Sequence, residues 1–321
     1  MREFLGLPIS ASAHGAQIDQ VIVIVHWMMF TLFAGWGTFF VYVLFRFRRS
    51  RNPHANHGGV QSHASSYLEG AVAVAEVILL VGFAFPLWAS RVAHLPDEKD
   101  AIVVRVVGEQ FAWNVHYPGP DGVFGRTDIK LVSSDNPLGL DRSDPYAKDD
   151  ITTINQLNLP VNKPVIIRLS SKDVIHSFNL PLFRVKQDAI PGEIIKVWFQ
   201  PTMTTAQVRE QLTRTYSIAG GKMPLELGAL SSTQDYAGKD GIVIVSKGGS
   251  FSDETVAQLA AAGIMAVSAA PDTPTEIACA QLCGLGHYRM RGYVTIQTPE
   301  EFKAWMDSQE ASLQPPPTAN P

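Results

Sequence analysis

The chain has 321 residues, of which 46% are hydrophobic and 17% charged, and its 26 basic and 30 acidic residues give a net charge of −4. The sequence contains no concentrated basic region, which argues against nucleic acid as a partner. Its length allows one large or two smaller domains. The apolar residues are unevenly spread, and their distribution along the chain indicates the class of protein.

Two apolar runs near the N-terminus are long enough to cross a membrane. Residues 21–45 carry no formal charge apart from that of His26, and residues 71–90 are interrupted only by Glu76. A spanning helix needs about 20 consecutive apolar residues. We therefore predict transmembrane helices over residues 20–46 and 68–93, joined by a loop over 47–67 and preceded by an N-terminal segment over 1–19. Two buried helices of a soluble protein are the alternative.

The loop between the two helices contains the arginines Arg46, Arg48, Arg49 and Arg51. Loops that carry such an excess of basic residues usually face the cytoplasm. Both termini, and whatever follows the second helix, are then expected on the outer side of the membrane.

From residue 100 to 310 the sequence changes to short runs rich in Val and Ile, separated by Gly, Pro, Asn and Asp. This pattern predicts an antiparallel β sandwich or barrel, because the connections lack regular crossover helices. The proline-rich residues 311–321 are predicted to be a disordered tail. The expected fold is thus a pair of transmembrane helices followed by an extracytoplasmic all-β domain.

Both cysteines of the chain lie in the segment CAQLCGLGHYRM, which places Cys279 and Cys283 beside His287 and Met290. Thiolate, imidazole and thioether together form a ligand set that suits copper. Two cysteines suggest more than one copper ion, because a single-copper electron-transfer site uses only one. Zinc is the competing metal, although a thioether would contribute little to it. A structural disulfide is the plain alternative.

A copper site of this kind needs a second imidazole, for which His94, His116 and His176 are the remaining candidates. His176 follows a strong strand pattern directly, at a place where a sandwich presents side chains at its rim. We therefore favour His176 as the ligand, with an ordinary hydrogen-bonded histidine as the alternative.

Three segments, KPVIIRLSSKDVIHSFNLP, VKQDAIPGEI and CAQLCGLGHYRM, resemble subunit II of the haem–copper oxygen reductases, the cytochrome c oxidases. The resemblance implies a cupredoxin domain that carries a dinuclear copper centre, CuA. It assigns the ligands to the side chains of His176, Cys279, Cys283, His287 and Met290, with the backbone carbonyl of Gln281.

The resemblance also implies a function. CuA would accept electrons from a c-type cytochrome on the outer face and pass them to haem in subunit I, where oxygen is reduced to water. The chain would then be the part of a proton-pumping oxidoreductase through which electrons enter, with oxidase subunits I and III and membrane lipid as partners. Its expected location is the bacterial inner membrane. The chain has no C-x-x-C-H motif, so we expect no haem in it.

The segment GEQFAWNVHY matches the aromatic stretch through which electrons enter in this family, but with changes. Trp113 matches the second tryptophan, Phe111 replaces the first, and His116 replaces an acid. Asp173 keeps one acidic docking position. Either neighbouring aromatic residues replace the missing ring, or the donor is another haem protein, fixed in a supercomplex. Acidic surfaces speed the docking of a basic cytochrome.

Three further residues are interpreted through the resemblance. Glu69 lies where the family often has a glutamate at the mouth of a proton path, although it could be a simple interfacial side chain. Glu76 is an intramembrane acid without a family counterpart, and we expect a functional role with a partner on another subunit. Gln281 replaces the glutamate that holds magnesium or manganese (Mg or Mn) between subunits I and II, so we expect weaker binding of such an ion.

His176 and Cys279 lie 103 residues apart, more than is usual in the family. The excess falls over about residues 201–270, which contain a helix-like stretch over 252–270 and no Cys or His. This insertion is expected to be a contact or covering element, with surface elaboration as the alternative. A second loop over 133–150 is rich in turn formers and is expected to touch a neighbour.

Two related functions are distinguishable on the sequence. A quinol-oxidase relative keeps the fold but lacks copper ligands, which are all present here. Nitrous oxide reductase has a similar copper loop but needs a large propeller domain with many histidines, which these 321 residues do not contain.

Overall fold

The computed structural model describes residues 4–54, 57–59 and 61–313. Its chain divides into two compact units. One is helical and contains His14–Leu95. The other contains the short segment Ser10–Ala13 together with the chain from Pro96 onward.

The helical unit consists of α1 (Gly15–Arg46), α2 (Ala64–Leu79), a π-helical turn (Leu80–Ala84) and α3 (Phe85–Val92). The spans Gly15–Arg46 and Ala64–Val92 have mean hydropathies of 1.7 and 2.2 and are long and apolar enough to cross a membrane. Pro86 lies just after the π turn. Because proline has no amide N–H to donate, a local change of helical pitch accommodates it.

The β unit contains two five-stranded sheets. The first has the order β3 (Ile151–Ile154), β2 (Ala112–Tyr117), β1 (Ile102–Glu109), β5 (Val165–Ser171), β8 (Ile195–Phe199). The second has the order β4 (Gln156–Pro160), β15 (Arg291–Gln297), β14 (Glu276–Cys279), β6 (His176–Leu180), β7 (Val185–Ala189).

The prediction of a purely antiparallel arrangement is wrong at two places. Strand β1 pairs with β5 in parallel, and β15 pairs with β4 in parallel. The cause is the route of the chain, which passes from β3 in the first sheet to β4 in the second and back to β5. A strand that returns after such a crossing can lie in either direction beside its neighbour.

The core lies between the two sheets, as in a β sandwich. Trp113 of β2 meets Phe178 of β6 edge to face, with ring centroids 5.6 Å apart, and both side chains are fully buried. Outside the sheets, α6 (Pro299–Leu313) packs Trp305 against Tyr117 at 5.2 Å. Residues 311–313 are therefore helical, contrary to the prediction of a disordered tail from 311. The rest of that predicted tail lies outside the described residues.

The insertion between β8 and β14 is a small module with its own core. It contains α4 (Thr205–Leu212), β9 (Arg214–Ser217), β10 (Ser231–Ser232), β11 (Tyr236–Ala237), β12 (Val243–Val245), α5 (Asp253–Ala261) and β13 (Ala266–Ala270). Strand β13 lies between β10 and β9. Val256 and Leu259 of α5 are buried in a hydrophobic cluster with Ile218, Leu227 and Val267.

The helix-like stretch over 252–270 is therefore half helix and half strand. Helix α5 ends at Ala261, and Gly263 has a φ of +92°, a left-handed value that glycine adopts at low cost. The residues after it then form the central strand of the sheet.

Two loops complete the β unit. Residues 118–150 fold back onto the outer face of the first sheet, where Phe124 packs edge to face on His116 at 5.0 Å. The segment Ser10–Ala13 runs along the β unit. Ala11 N donates to Leu182 O at 2.8 Å, and Ala13 N donates to Gln200 O at 3.0 Å.

Candidate metal centre

The candidate centre is assembled from two neighbouring strands and the loop that follows one of them. His176 begins β6 and Cys279 ends β14, and these strands pair with Cys279 opposite Phe178. The chain then loops out and returns through a 3-10 turn, His287–Arg289, into β15. Cys279 N donates to Met290 O at 3.3 Å, which closes the base of the loop. The distant histidine therefore lies beside the loop because β6 and β14 are adjacent.

All the donor groups expected for the centre are brought together. Cys279 Sγ lies 3.9 Å from His176 Nδ1, 3.8 Å from Cys283 Sγ and 3.2 Å from Gln281 O. Cys283 Sγ lies 3.6 Å from His287 Nδ1 and 3.7 Å from Met290 Sδ. Both cysteines are free, and their separation is far beyond the roughly 2.05 Å of a disulfide bond. The structural-disulfide alternative is therefore wrong for this structure.

The donor atoms fall into two halves. Those of His176, Cys279 and Cys283 lie within 4.8 Å of one another, and His287 is outside that group. His176 Nδ1 lies beside Cys279 Sγ, and His287 Nδ1 lies beside Cys283 Sγ. Each thiol thus has an imidazole next to it, so these four side chains would be the residues that hold a metal.

A carboxylate fixes the ring of His176. Asp173 Oδ1 accepts from His176 Nε2 at 2.8 Å, and Asp173 Oδ2 accepts from Gln110 N at 2.7 Å. With a metal bound, a proton kept on Nε2 would leave the lone pair of Nδ1 for that metal, which is the role of second-shell carboxylates beside metal-binding histidines. Gln110 Nε2 also donates to Cys283 O at 2.6 Å. Gln110 thereby supports His176, through Asp173, and also the backbone at Cys283.

The two thiols have different acidities. Burial of Cys279 opposes its ionisation, but hydrogen bonds from His176 and the backbone of Ser177 outweigh burial and lower the pKa of this thiol to about 6. Burial of Cys283, together with the charge of Cys279, raises the pKa of the Cys283 thiol to about 11. Burial likewise raises the pKa of the Asp173 carboxyl, but hydrogen bonds from His176 and Gln110 outweigh it and hold that pKa below its usual value.

The aromatic residues expected at the point where electrons enter occupy different layers. Trp113 is fully buried and meets the ring of His176 edge to face, with centroids 6.0 Å apart. Phe111 lies against the loop between Cys279 and Met290 instead, where a Cβ atom added to Gly286 would overlap its ring, and one added to Gly284 would lie 3.3 Å from it. Only Phe111 of this pair is partly exposed.

Residues 102–225 match the family model for the periplasmic domain of cytochrome c oxidase subunit II. The chain is 26% identical over 294 residues to the alternative cytochrome c oxidase subunit 2 of Bradyrhizobium diazoefficiens, covering 91% of this chain and 80% of that protein. It is 29% identical over 175 residues to cytochrome c oxidase subunit 2 of Cereibacter sphaeroides, covering 50% and 54%. The chain is thus similar, over most of its length, to proteins described as cytochrome c oxidase subunit 2.

One solved structure with some likeness to this chain is the periplasmic domain of subunit II of cytochrome oxidase (CoxB) of Bradyrhizobium japonicum, with a TM-score of 0.35 and 19% sequence identity. The likeness covers 69% of this chain and 100% of that domain. The predicted order of two N-terminal helices long and apolar enough to cross a membrane, followed by a β-rich domain with a large insertion, is confirmed.

Of the other residues singled out in the sequence, His116 and Asp173 are placed differently from the expectations. His116 is 1% exposed, and its Nε2 lies 2.6 Å from Asp150 Oδ2. The expectation that it alters the docking surface is wrong, because it does not reach the surface. Both oxygens of Asp173 bond within the chain, so it serves the centre rather than docking alone. Glu76 lines a groove with Val21 and Ile24 of α1, whereas Glu69 is exposed on α2.

Sequence reasoning missed two supporting residues, Gln110 and Gly108. A Cβ atom added to Gly108 would lie 2.9 Å from His176 Cδ2, so glycine is needed for the ring to sit there. Both belong to the segment GEQFAWNVHY. Their roles depend on how this segment packs against His176 and Cys283, which the local sequence pattern does not encode.

Proposed function

We propose that this chain is the subunit of a terminal oxidase through which electrons enter, and that its loop holds a dinuclear CuA centre. The observation that carries the proposal is the convergence of two unbonded thiols, two imidazoles, a thioether and a carbonyl within one site. When bound by these residues, copper would supply one-electron transfer. Similarity to cytochrome c oxidase subunit 2 proteins supports the same function.

The chain's own residues hold this site rigid. Asp173 orients His176, and Gln110 fixes the carbonyl of Cys283. Cys283 and Met290 are 4% and 3% exposed. Rigid and dry surroundings keep ligand movement small when charge changes, which favours fast electron transfer. Gln281 contributes its carbonyl oxygen to the site while its exposed side chain offers no carboxylate for magnesium or manganese.

Electrons are proposed to arrive from a c-type cytochrome near Phe111. Around the copper loop, Leu282, Leu285 and Tyr288 are 77%, 97% and 83% exposed. Contiguous exposed apolar side chains usually mark an interaction surface, which supports contact with the donor or with oxidase subunits I and III. Trp113, fully buried beside the ring of His176, would take part in electron transfer from beneath the surface. A membrane-bound donor in a supercomplex is the alternative to a soluble cytochrome, in keeping with Phe111 at the tryptophan position.

The β unit is proposed to lie on the periplasmic side of a bacterial inner membrane. Ser10–Ala13, ahead of α1, and the chain from Pro96, beyond α3, belong to the same compact unit. Two helices that each cross the membrane once would return the chain to the side from which it left. The arginines between the helices favour the cytoplasm for that loop.

Glu69 is proposed to stand at the mouth of a proton path into subunit I, which would make the assembled oxidase a proton translocase. Its exposed position near the start of α2 leaves the carboxylate accessible to another subunit. Glu76 is proposed to face a polar partner on another subunit, because its groove contains only apolar side chains from α1.

The test is spectroscopic and uses the purified oxidase complex. Near-infrared absorption and the electron paramagnetic resonance of a mixed-valence copper pair are expected for the unaltered chain. Met290→Leu should perturb both signals, whereas Met265→Leu, an exposed methionine in the insertion, should leave them unchanged. A single zinc ion, or a cystine without copper, would contradict the proposal.

A further inference from the structure

A row of basic residues crosses the outer face of the first sheet. Strand register places Arg105 opposite His116 on β2 and opposite Arg168 on β5, and Arg168 opposite Lys196 on β8. Directly opposed side chains lie on the same face of a sheet, where like charges destabilise one another. A row of this kind needs acidic partners or a bound anion.

Most members of the row have a partner. Glu98 accepts from Arg168 NH2 at 2.9 Å and from Lys196 Nζ at 3.0 Å, and His116 is paired with Asp150. Lys172, next along β5, is paired with Glu109. Arg105 is the exception, because no carboxylate of the described residues lies within ion-pair distance of it.

The N–H groups of the Arg105 guanidinium have no hydrogen-bond acceptor among the described residues. Its Cζ lies 4.2 Å from the ring centroid of Phe124, which stabilises the cation through its flat face but accepts none of its N–H groups. Burial, and then the charge of Arg168, hold the pKa of Arg105 below its usual value. Within the described chain, Arg168 Nε is also buried without an acceptor. Two adjacent arginines thus present unused donors.

Both arginines line a groove of about 640 Å³ between the sheet and the loop over 118–150. That volume lies in the range of small-molecule sites, roughly 300–1,000 Å³. Its walls include the apolar side chains Ile129, Val132 and Ile194 and the hydroxyl residue Thr127. The loop over 133–150, expected to touch a neighbour, thus forms part of a wall of this cleft.

We propose that this groove binds a small organic oxyanion, a phosphate or carboxylate with a short apolar group, through the guanidinium groups of Arg105 and Arg168. Planar guanidinium groups match the oxygen geometry of both anions. The apolar part would lie against Ile129, Val132 and Ile194. Asp128 also lines the groove, and its Oδ1 accepts from Lys130 N at 2.9 Å.

The proposal is tested on the purified oxidase complex by calorimetric titration with inorganic phosphate and with hexyl phosphate. Saturable binding of hexyl phosphate is expected, weakened about tenfold or more by Arg105→Gln and less by Arg105→Lys, because one charged hydrogen-bonded contact accounts for such a change. Arg214→Gln, which removes an exposed arginine of the insertion, is the matched control and should bind normally.

A third arm distinguishes a soluble ligand from a lipid headgroup. The complex is mixed with vesicles containing phosphatidylglycerol, and Arg105-dependent competition with hexyl phosphate would identify lipid phosphate as the source. Because Arg105→Gln removes an unpaired, half-buried cation, we expect the copper spectrum and thermal stability to be retained. Absence of saturable binding in all three arms, or equal binding by Arg105→Gln, would overturn the proposal.

Discussion

Two regions of the β unit each contain a buried histidine beside a carboxylate. His176 is fully buried with Asp173 at 2.8 Å, and His116 is 1% exposed with Asp150 at 2.6 Å. The two histidines differ in what the remainder of each imidazole ring contacts. Nδ1 of His176 faces the thiol of Cys279, whereas the ring of His116 packs on Phe124. A buried histidine–carboxylate pair is therefore a general way to accommodate imidazole, and soft neighbours turn it into a metal site.

Substitution of each histidine in turn is expected to give the largest difference between the two regions. His176→Asn is expected to abolish the near-infrared band, because one copper ion loses its imidazole. His116→Asn should keep the band but destabilise the β unit by about 1–3 kcal/mol, because Asp150 loses a buried hydrogen-bond partner. Spectra and urea midpoints measured on the purified complex check both outcomes. Loss of the band in both variants would show that the regions are not independent.

The next largest effect is expected from substitution of Asp173, the carboxylate beside the candidate metal site. Asp173→Asn should lower copper affinity about 10–100-fold, since the amide no longer holds a proton on Nε2 of His176 with the same strength. Competition with a copper chelator measures this change. Asp307→Asn is the control, because Asp307 makes only a surface ion pair with Lys303, a type of pair that contributes little. Unaltered copper affinity in Asp173→Asn would contradict the assigned role.

A smaller effect on copper content is expected where Phe111 contacts the loop between Cys279 and Met290. Gly286→Ala adds a Cβ atom that overlaps the Phe111 ring, so copper content should fall severalfold as the loop is displaced. Adding Phe111→Ala should restore copper content by removing the clash. Gly228→Ala, whose Cβ would meet only the end of Met223 at 3.5 Å, is the control. If the double variant is no better than Gly286→Ala, the clash is not the cause.

The smallest effect concerns the metal-free chain. Cys279, with a pKa lowered to about 6, should react with iodoacetamide at neutral pH well before Cys283, whose pKa is raised to about 11. Below pH 6 both thiols are protonated and the reaction of Cys279 should slow. Peptide mass spectrometry after short exposure measures the order. Prior labelling of Cys283 would show that access outweighs acidity.

The sequence predicted most of the metal site because the loop spacing places four donor types within a few residues. His176 was predicted from its position after a strand, and pairing of β6 with β14 explains why it lies there. The burial of Trp113 and His116 depends on strand register and on the fold of residues 118–150, which local patterns do not encode. The groove beside Arg105 was missed for the same reason.

In the fold, too, some features could be predicted from the sequence and others could not. Both apolar helices were evident from their length, since a membrane span imposes a strong and local requirement. The parallel pairs β1–β5 and β15–β4 depend on contacts between distant segments. In the insertion, a single glycine at position 263 separates helix from strand, and an apolar pattern of that length cannot distinguish the two.

The attachment of Ser10–Ala13 to the β unit also sets an order of assembly. Ser12 donates to Phe183 O at 2.7 Å, a residue 171 positions later in the chain. At about 5–20 residues per second, the ribosome needs roughly ten to thirty seconds to reach that acceptor. Ser12 can therefore make this contact only after the chain as far as Phe183 has been synthesised.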